Sequence, residues 1–131
     1  MITADYRFGI ESEDSCLPRL NKFLNTNLTK LDSRSPIDFE SDTHLVELKT
    51  RRNTKDKYPT TMIGKNKIDK LLESEKIGYI AFSFLNGLYG AKVTPELIKK
   101  CCIGSGGRRD RGRVERSVYC YVPVNQLEKI N

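Results

Sequence analysis

The sequence predicts an α/β fold ordered helix, strand, strand, strand, helix, strand, with an added hairpin strand and a C-terminal appendage. Three observations predict it. Leu17, Leu20 and Leu24 recur at the three- and four-residue spacing of a buried helical face, and Ile68, Leu71 and Leu72 do the same in GKNKIDKLLES. Between these helices, IDFE (37–40) and HLVELK (44–49) alternate with the period of two that a strand imposes. Beyond the second helix, YIAFSFLN (79–86) is rich in β-branched and aromatic residues and ends at Asn86-Gly87, a strong hairpin signal.

In chain order, Tyr6, Phe8 and Ile10 alternate but also suit a lead-in to a helix. From Glu11 to Leu24 the helical pattern fits better. Pro18 lies inside it, so the helix is expected to begin near Leu17 or to bend there. Glu11, Glu13 and Asp14 then fall on or just ahead of the first turn, where acids suit the helix dipole. LTKLDS (28–33) makes a short strand, and the pair at 35–51 follows. RRNTKDKYPTTM (51–62) has no period and carries Arg51, Arg52, Lys55 and Lys57, so it reads as a mobile loop that attracts phosphate. The helix over 64–74 has Lys65 and Lys67 in its first turn, a place the dipole does not favour for cations, which hints at an anion nearby. LYGAKV (88–93) returns beside 79–86, and Thr94-Pro95-Glu96 starts a short helix through Lys100. GSGGRRDRGR (104–113) reads as a flexible run, unable to pack as core, whose Arg108, Arg109, Arg111 and Arg113 can lie along a phosphate backbone. VERSVYCYV (114–122) is a final strand ended by Pro123, and Asn125 with Glu128 resembles the capping pair of a terminal turn.

Composition bounds the partners. The 131 residues are expected to form one domain, 1–131, with a core small enough to suit 37% hydrophobic and 31% charged residues. Lys and Arg outnumber Asp and Glu by 23 to 17, a net charge of +6 that favours a polyanion. No run is long and apolar enough for a membrane helix, and MITADYRFGIESED lacks the basic-then-apolar pattern of a signal peptide. Cys16, Cys101, Cys102 and Cys120 form no CxxC pair and no zinc spacing with the single His44. Reduced thiols and an intracellular location, cytoplasm or nucleus or the host cell of a virus, are expected.

The chemistry concentrates in SPIDFESDTHLVELKTRR (35–52). Alternation puts Asp38, Glu47 and Lys49 on one face of the strand pair and Ile37, Phe39, Val46 and Leu48 on the other. Joined by a two-residue turn, the strands set Asp38 opposite Leu45 or Glu47, and a slip of one residue would separate the acids. Two close carboxylates repel unless a cation sits between them or one is protonated. Hard oxygen ligands suit Mg²⁺ or Mn²⁺, which can polarise a phosphodiester and lower the pKa of a bound water. Lys49 could orient or deprotonate that water, or meet negative charge on the phosphate. The same spacing also suits an exposed hairpin with ordinary solvated charges.

This element order, with Pro36-Ile37-Asp38 on the second strand and Glu47-Leu48-Lys49 on the third, resembles the PD-(D/E)XK nuclease superfamily, also called restriction-endonuclease-like, over residues 11–86. The resemblance implies a central mixed β-sheet flanked by helices, an αβββαβ core. It implies that Asp38 and Glu47 bind Mg²⁺ or Mn²⁺, that the Leu48 carbonyl completes the metal shell, and that Lys49 assists the water nucleophile. A further acid from the first helix would be Glu11 in GIESE, with Glu13 or Asp14 behind it. The implied activity is phosphodiester hydrolysis. DNA is the expected partner, with RNA open; a structure-selective substrate such as a junction or a repair or replication intermediate suits the chain's size, and a homodimer would be needed to cut two strands. There are departures. Ile37 separates Pro36 from Asp38, and Glu40 shares the face of Asp38 and could compete for the metal. His44 falls on the face away from Glu47 and reads as a packing residue beside the turn. The competing classes are a catalytically inactive nucleic-acid-binding protein of the same fold and a small module whose basic loops meet an acidic protein.

Overall fold

The computed structural model describes residues 4–110 and 113–130, with side chains described for 12–105 and 118–130. The chain runs α1 (Ala4–Leu24), β1 (Thr29–Lys30), β2 (Phe39–Glu40), β3 (His44–Thr50), β4 (Thr60–Gly64), α2 (Lys65–Glu73), β5 (Ile77–Phe84), β6 (Gly87–Lys92), α3 (Pro95–Lys100), β7 (Cys102–Asp110), β8 (Arg113–Pro123) and β9 (Glu128–Ile130), with single 3-10 turns at 55–57 and 124–126. A six-stranded sheet has the order β1-β2-β3-β5-β6-β9, and a three-stranded sheet the order β4-β8-β7. The β3–β5 pair is parallel and the other pairs are antiparallel, so the larger sheet is mixed, as expected.

Alternation along β5 divides the interior. Tyr79 and Ala81 point to one cluster with Cys16 and Leu20 of α1, Phe39, Val46, Leu48, Leu88 and Ile130. Ile80, Phe82 and Phe84 point to the other, with Ile63, Ile68 and Leu71 and with Cys120 and Val122 of the smaller sheet. The larger sheet is therefore covered by α1 on one face and by α2 and the smaller sheet on the other. Gly78 lets α2 close on β5, since a Cβ there would lie 2.8 Å from the Leu71 carbonyl oxygen. The β5–β6 turn residues are Leu85 and Asn86, one position ahead of the expected Asn86-Gly87, and Gly87, at φ +148°, opens β6 opposite Phe84.

Several expectations are corrected. The first helix does not begin near Leu17: α1 covers 21 residues and contains Pro18. Burial of Cys16 and Leu20 against β2 and β3 holds the helix across the proline's missing donor. The loop expected over 51–62 holds a 3-10 turn and the start of β4, whose buried residues are only Thr61 and Ile63, too short a pattern to stand out. The run at 104–113 is not a free coil. Most of it lies in the β7–β8 hairpin, where the ladder to β8 supplies the hydrogen bonds that its glycines cannot supply through side chains. Arg111 lies outside the described residues, as do the side chains of Arg108, Arg109 and Arg113. After the turn at 124–126 the chain makes one more strand, β9, whose Ile130 is fully buried. Ile37 does not share the floor with Phe39. It packs with Ile63 and Ile68, because β2 begins only at Phe39 and the alternation does not extend back to it. Leu72, expected on the buried stripe of α2, is exposed. No described helix is long and apolar enough to cross a membrane.

Candidate active site

The β2–β3 register pairs Phe39 with Val46 and Glu40 with Leu45, and the Ser41 N–H closes a two-residue turn on the His44 carbonyl at 2.9 Å. Continued by one residue, this register sets Asp38 across from Glu47. The Leu48 N–H then donates to Asp38 Oδ2 at 2.8 Å, fixing that carboxylate against the strand.

Glu47 lies in the middle of β3 and is 2% exposed. Its Oε1 is 3.8 Å from Lys49 Nζ and its Oε2 is 3.9 Å from Lys67 Nζ. Oε2 is buried without a hydrogen-bond partner. Burial first, and then the Asp38 carboxylate beside it, push the Glu47 acid up to about 8 against the opposing pull of the two lysines. A buried carboxylate is normally satisfied by hydrogen bonds, and a buried acid with an orphaned oxygen, next to a second acid, suits a bound cation. Among the described residues no group of three or more His, Cys, Asp or Glu gathers. Two carboxylates suit Mg²⁺ or Mn²⁺, ions that fill their remaining positions with water and phosphate oxygens.

The family model described as "Phage putative PDDEXK endonuclease" matches residues 9–130. The chain belongs to this PDDEXK family. The match extends past the motif strands and takes in β7, β8 and β9, so the smaller sheet lies within the family's unit. No curated protein and no solved structure matches the chain.

The other acids of this PDDEXK chain divide clearly. Glu11 lies on the backbone of α1 and its side chain is outside the described residues. Glu13 and Asp14 both turn to Lys30 of β1, at 3.1 and 3.4 Å. Glu40 pairs with Lys76 at 3.2 Å. His44 is buried, as expected of a packing residue, with Nδ1 2.7 Å from Thr43 Oγ1, and burial lowers its pKa.

The cations divide as well. Arg51 turns inward rather than toward solvent: Nε reaches Thr61 Oγ1 at 3.4 Å, Nη2 bonds the Met62 carbonyl, and the guanidinium lies 5.8 Å from the Phe82 ring centroid. It fastens β3 to β4. Lys55 pairs with Asp56 at 3.0 Å and lies over Tyr89, Lys57 lies over Tyr58, and Lys65 pairs with Asp69 at 2.8 Å. Arg52 is exposed.

Lys67 is the site residue whose role the sequence conceals. Its ammonium bonds the Pro36 carbonyl and faces Glu47, so the anion hinted at by a lysine in the first turn of α2 is the chain's own carboxylate. The one available signal was that unfavourable position for a cation.

Proposed function

We propose that this PDDEXK chain is a Mg²⁺- or Mn²⁺-dependent endonuclease hydrolysing phosphodiester bonds in DNA, with a structure-selective substrate such as a junction or a repair or replication intermediate. The observation that carries the reading is the buried Glu47 carboxyl beside Asp38 and between two lysines, one of its oxygens without a hydrogen-bond partner.

Asp38 and Glu47 would hold the ion, with the Leu48 carbonyl beside them and Glu11 in support. The ion supplies Lewis acidity toward the phosphate and lowers the pKa of a bound water. Glu47 carries its own proton near neutral pH when no cation is held, and releases it to serve as a ligand. Lys49 Nζ, beside the same carboxylate, positions the attacking water or meets charge on the phosphate oxygens. Lys67 Nζ, on the other oxygen, balances the second negative charge of the acid pair. Asp38 is kept in place by the Leu48 N–H. A net charge of +6 draws the polyanion in. Two-strand cutting would use two copies of the chain.

The test is purified protein with Mg²⁺ or Mn²⁺ on single-stranded, duplex and branched DNA and on RNA, side by side. The expected result is cleavage of DNA, strongest on branched forms and abolished by chelator. Salt-sensitive binding with no cleavage of any substrate would instead make the chain a binding protein of the same fold.

A further inference from the structure

The loop 32–37, which joins β1 to β2 just ahead of Asp38, is braced along its length. The Leu31 N–H donates to the Asp38 carbonyl at 2.8 Å and closes it. Inside the loop the Ser35 N–H donates to the Asp32 carbonyl at 2.8 Å, and the Arg34 N–H donates to Asp32 Oδ1 at 2.8 Å. The Ile37 N–H donates to Ser35 Oγ at 3.3 Å. Ile37 is buried with Ile63 and Ile68, Pro36 has a fixed φ, and the Lys67 ammonium bonds the Pro36 carbonyl. That same ammonium is 3.9 Å from Glu47 Oε2. One side chain therefore ties the loop to the acid pair, and the loop borders the site beside α2.

Ser33 and Arg34 are exposed on this loop. The acid two residues away does not take the arginine's charge. Asp32 Oδ1 is spent on the Arg34 backbone, and the Arg34 guanidinium has no hydrogen-bond or ion-pair partner among the described residues. Lys30, Lys55, Lys65 and Lys76 each pair with a carboxylate, and Arg51 turns into the fold. Arg34 is thus a cation left open on an ordered loop next to the acid pair.

We propose that Arg34 is a substrate-binding residue whose guanidinium holds a backbone phosphate of the strand being cut, next to the scissile one. Its Cα lies two residues from that of Pro36, a span of at most about 7 Å. The Pro36 carbonyl in turn shares the Lys67 ammonium with Glu47. A long side chain from that point covers the approach to the acids. A planar guanidinium meets two oxygens of one phosphate with paired hydrogen bonds, and here no carboxylate competes for it. The loop is already ordered, so contact costs little further chain entropy. With the scissile phosphate at Asp38 and Glu47, a hold on its neighbour sets the register of the strand across the site. The place beside the cut rests on the nuclease reading; the phosphate contact itself does not.

The first arm of the test measures binding of the full chain to a duplex DNA oligonucleotide in EDTA, across a salt series. The proteins are the parent, Arg34→Ala, Arg34→Lys and Lys22→Ala. Lys22 is an exposed charge on α1, which packs with Val46 and Leu48 on the face of β3 away from Glu47. Arg34→Ala should bind about tenfold more weakly and lose about 0.9 from the log–log salt slope. Lys22→Ala removes the same net charge and should match the parent. Arg34→Lys should restore the slope but only part of the affinity. Circular dichroism and melting check the fold, and Arg34→Gln, which keeps part of the stem, replaces an alanine variant that does not fold. In the second arm, with Mn²⁺, the parent's cut is mapped and one phosphate beside it is replaced by an uncharged methylphosphonate. The replacement should slow the parent at low substrate and leave Arg34→Ala no slower than on the unmodified strand. Equal salt slopes in parent and Arg34→Ala overturn the proposal, as does an equal loss in Lys22→Ala or a parent that binds no DNA. An Arg34→Ala protein still slowed by the methylphosphonate as much as the parent overturns it too. A chain that shows the Arg34 effect on binding but cuts nothing would sink the nuclease reading and leave the phosphate contact standing.

Discussion

The two ends of the β2–β3 hairpin each carry a glutamate facing lysine, and they differ in almost every other respect. Glu40 has a side chain 43% exposed and a lysine at 3.2 Å, and the Lys76 ammonium also bonds the Ser41 carbonyl. Glu47 has a side chain 3% exposed, two lysines at 3.8 and 3.9 Å, and an oxygen with no hydrogen-bond partner. The first pair is complete in water. The second is a buried acid whose lysines stand just too far off to satisfy it, next to another acid. Proximity to a lysine does not mark a functional carboxylate; burial without satisfaction does.

Breaking the buried end should have the largest effect. Glu47→Ala or Lys49→Ala should reduce cleavage by about a thousandfold or more while DNA binding stays near that of the parent, whereas Glu40→Ala should leave cleavage within about twofold. Gel-based cleavage and anisotropy titrations read the two effects separately. Cleavage surviving in both site variants would remove the assignment.

The next effect concerns stability. Glu47 titrates near 8 in the folded chain, above the 4.5 of a free glutamate. Its contribution is fully present below about pH 4.5 and is lost as pH rises through about 8. Metal-free protein should lose up to about 1.4 kcal/mol per pH unit across that window. Glu47→Gln should flatten this part of the profile and melt higher than the parent at pH 8. An identical slope in parent and variant would show that Glu47 is not the titrating group.

A smaller effect is expected at α2. Lys67→Met should push the Glu47 acid further up and move the alkaline-going limb of the pH–rate profile to higher pH, because one of its two balancing cations is gone. A profile unmoved on the pH axis would place Lys67 outside the site's electrostatics. The smallest effect belongs to the exposed end, where Lys76→Ala should cost no more than about 1 kcal/mol in a denaturant titration.

The legible part of this molecule is the part built from local alternation. His44 to Lys49 declares its own faces, and Asp38 joins Glu47 because a tight turn leaves the register little choice. The hidden parts depend on distant packing. Lys67 reaches Glu47 only because α2 crosses back over the sheet between the parallel strands β3 and β5. Arg51 has the composition of a phosphate contact and becomes a clasp once Phe82 and β4 arrive beneath it. The β4 strand buries two side chains, too few for a period, and β7 is held by backbone bonds that glycines conceal.

The central claim is that the buried acid pair is a cation site. Calorimetric titration of the metal-free chain with Mn²⁺ near pH 8, followed by the same titration of Asp38→Asn, Glu47→Gln and Glu40→Gln, tests it directly. The account predicts binding in the parent and in Glu40→Gln, and its loss in the other two. Equal binding in all four proteins, or none in the parent, would contradict it.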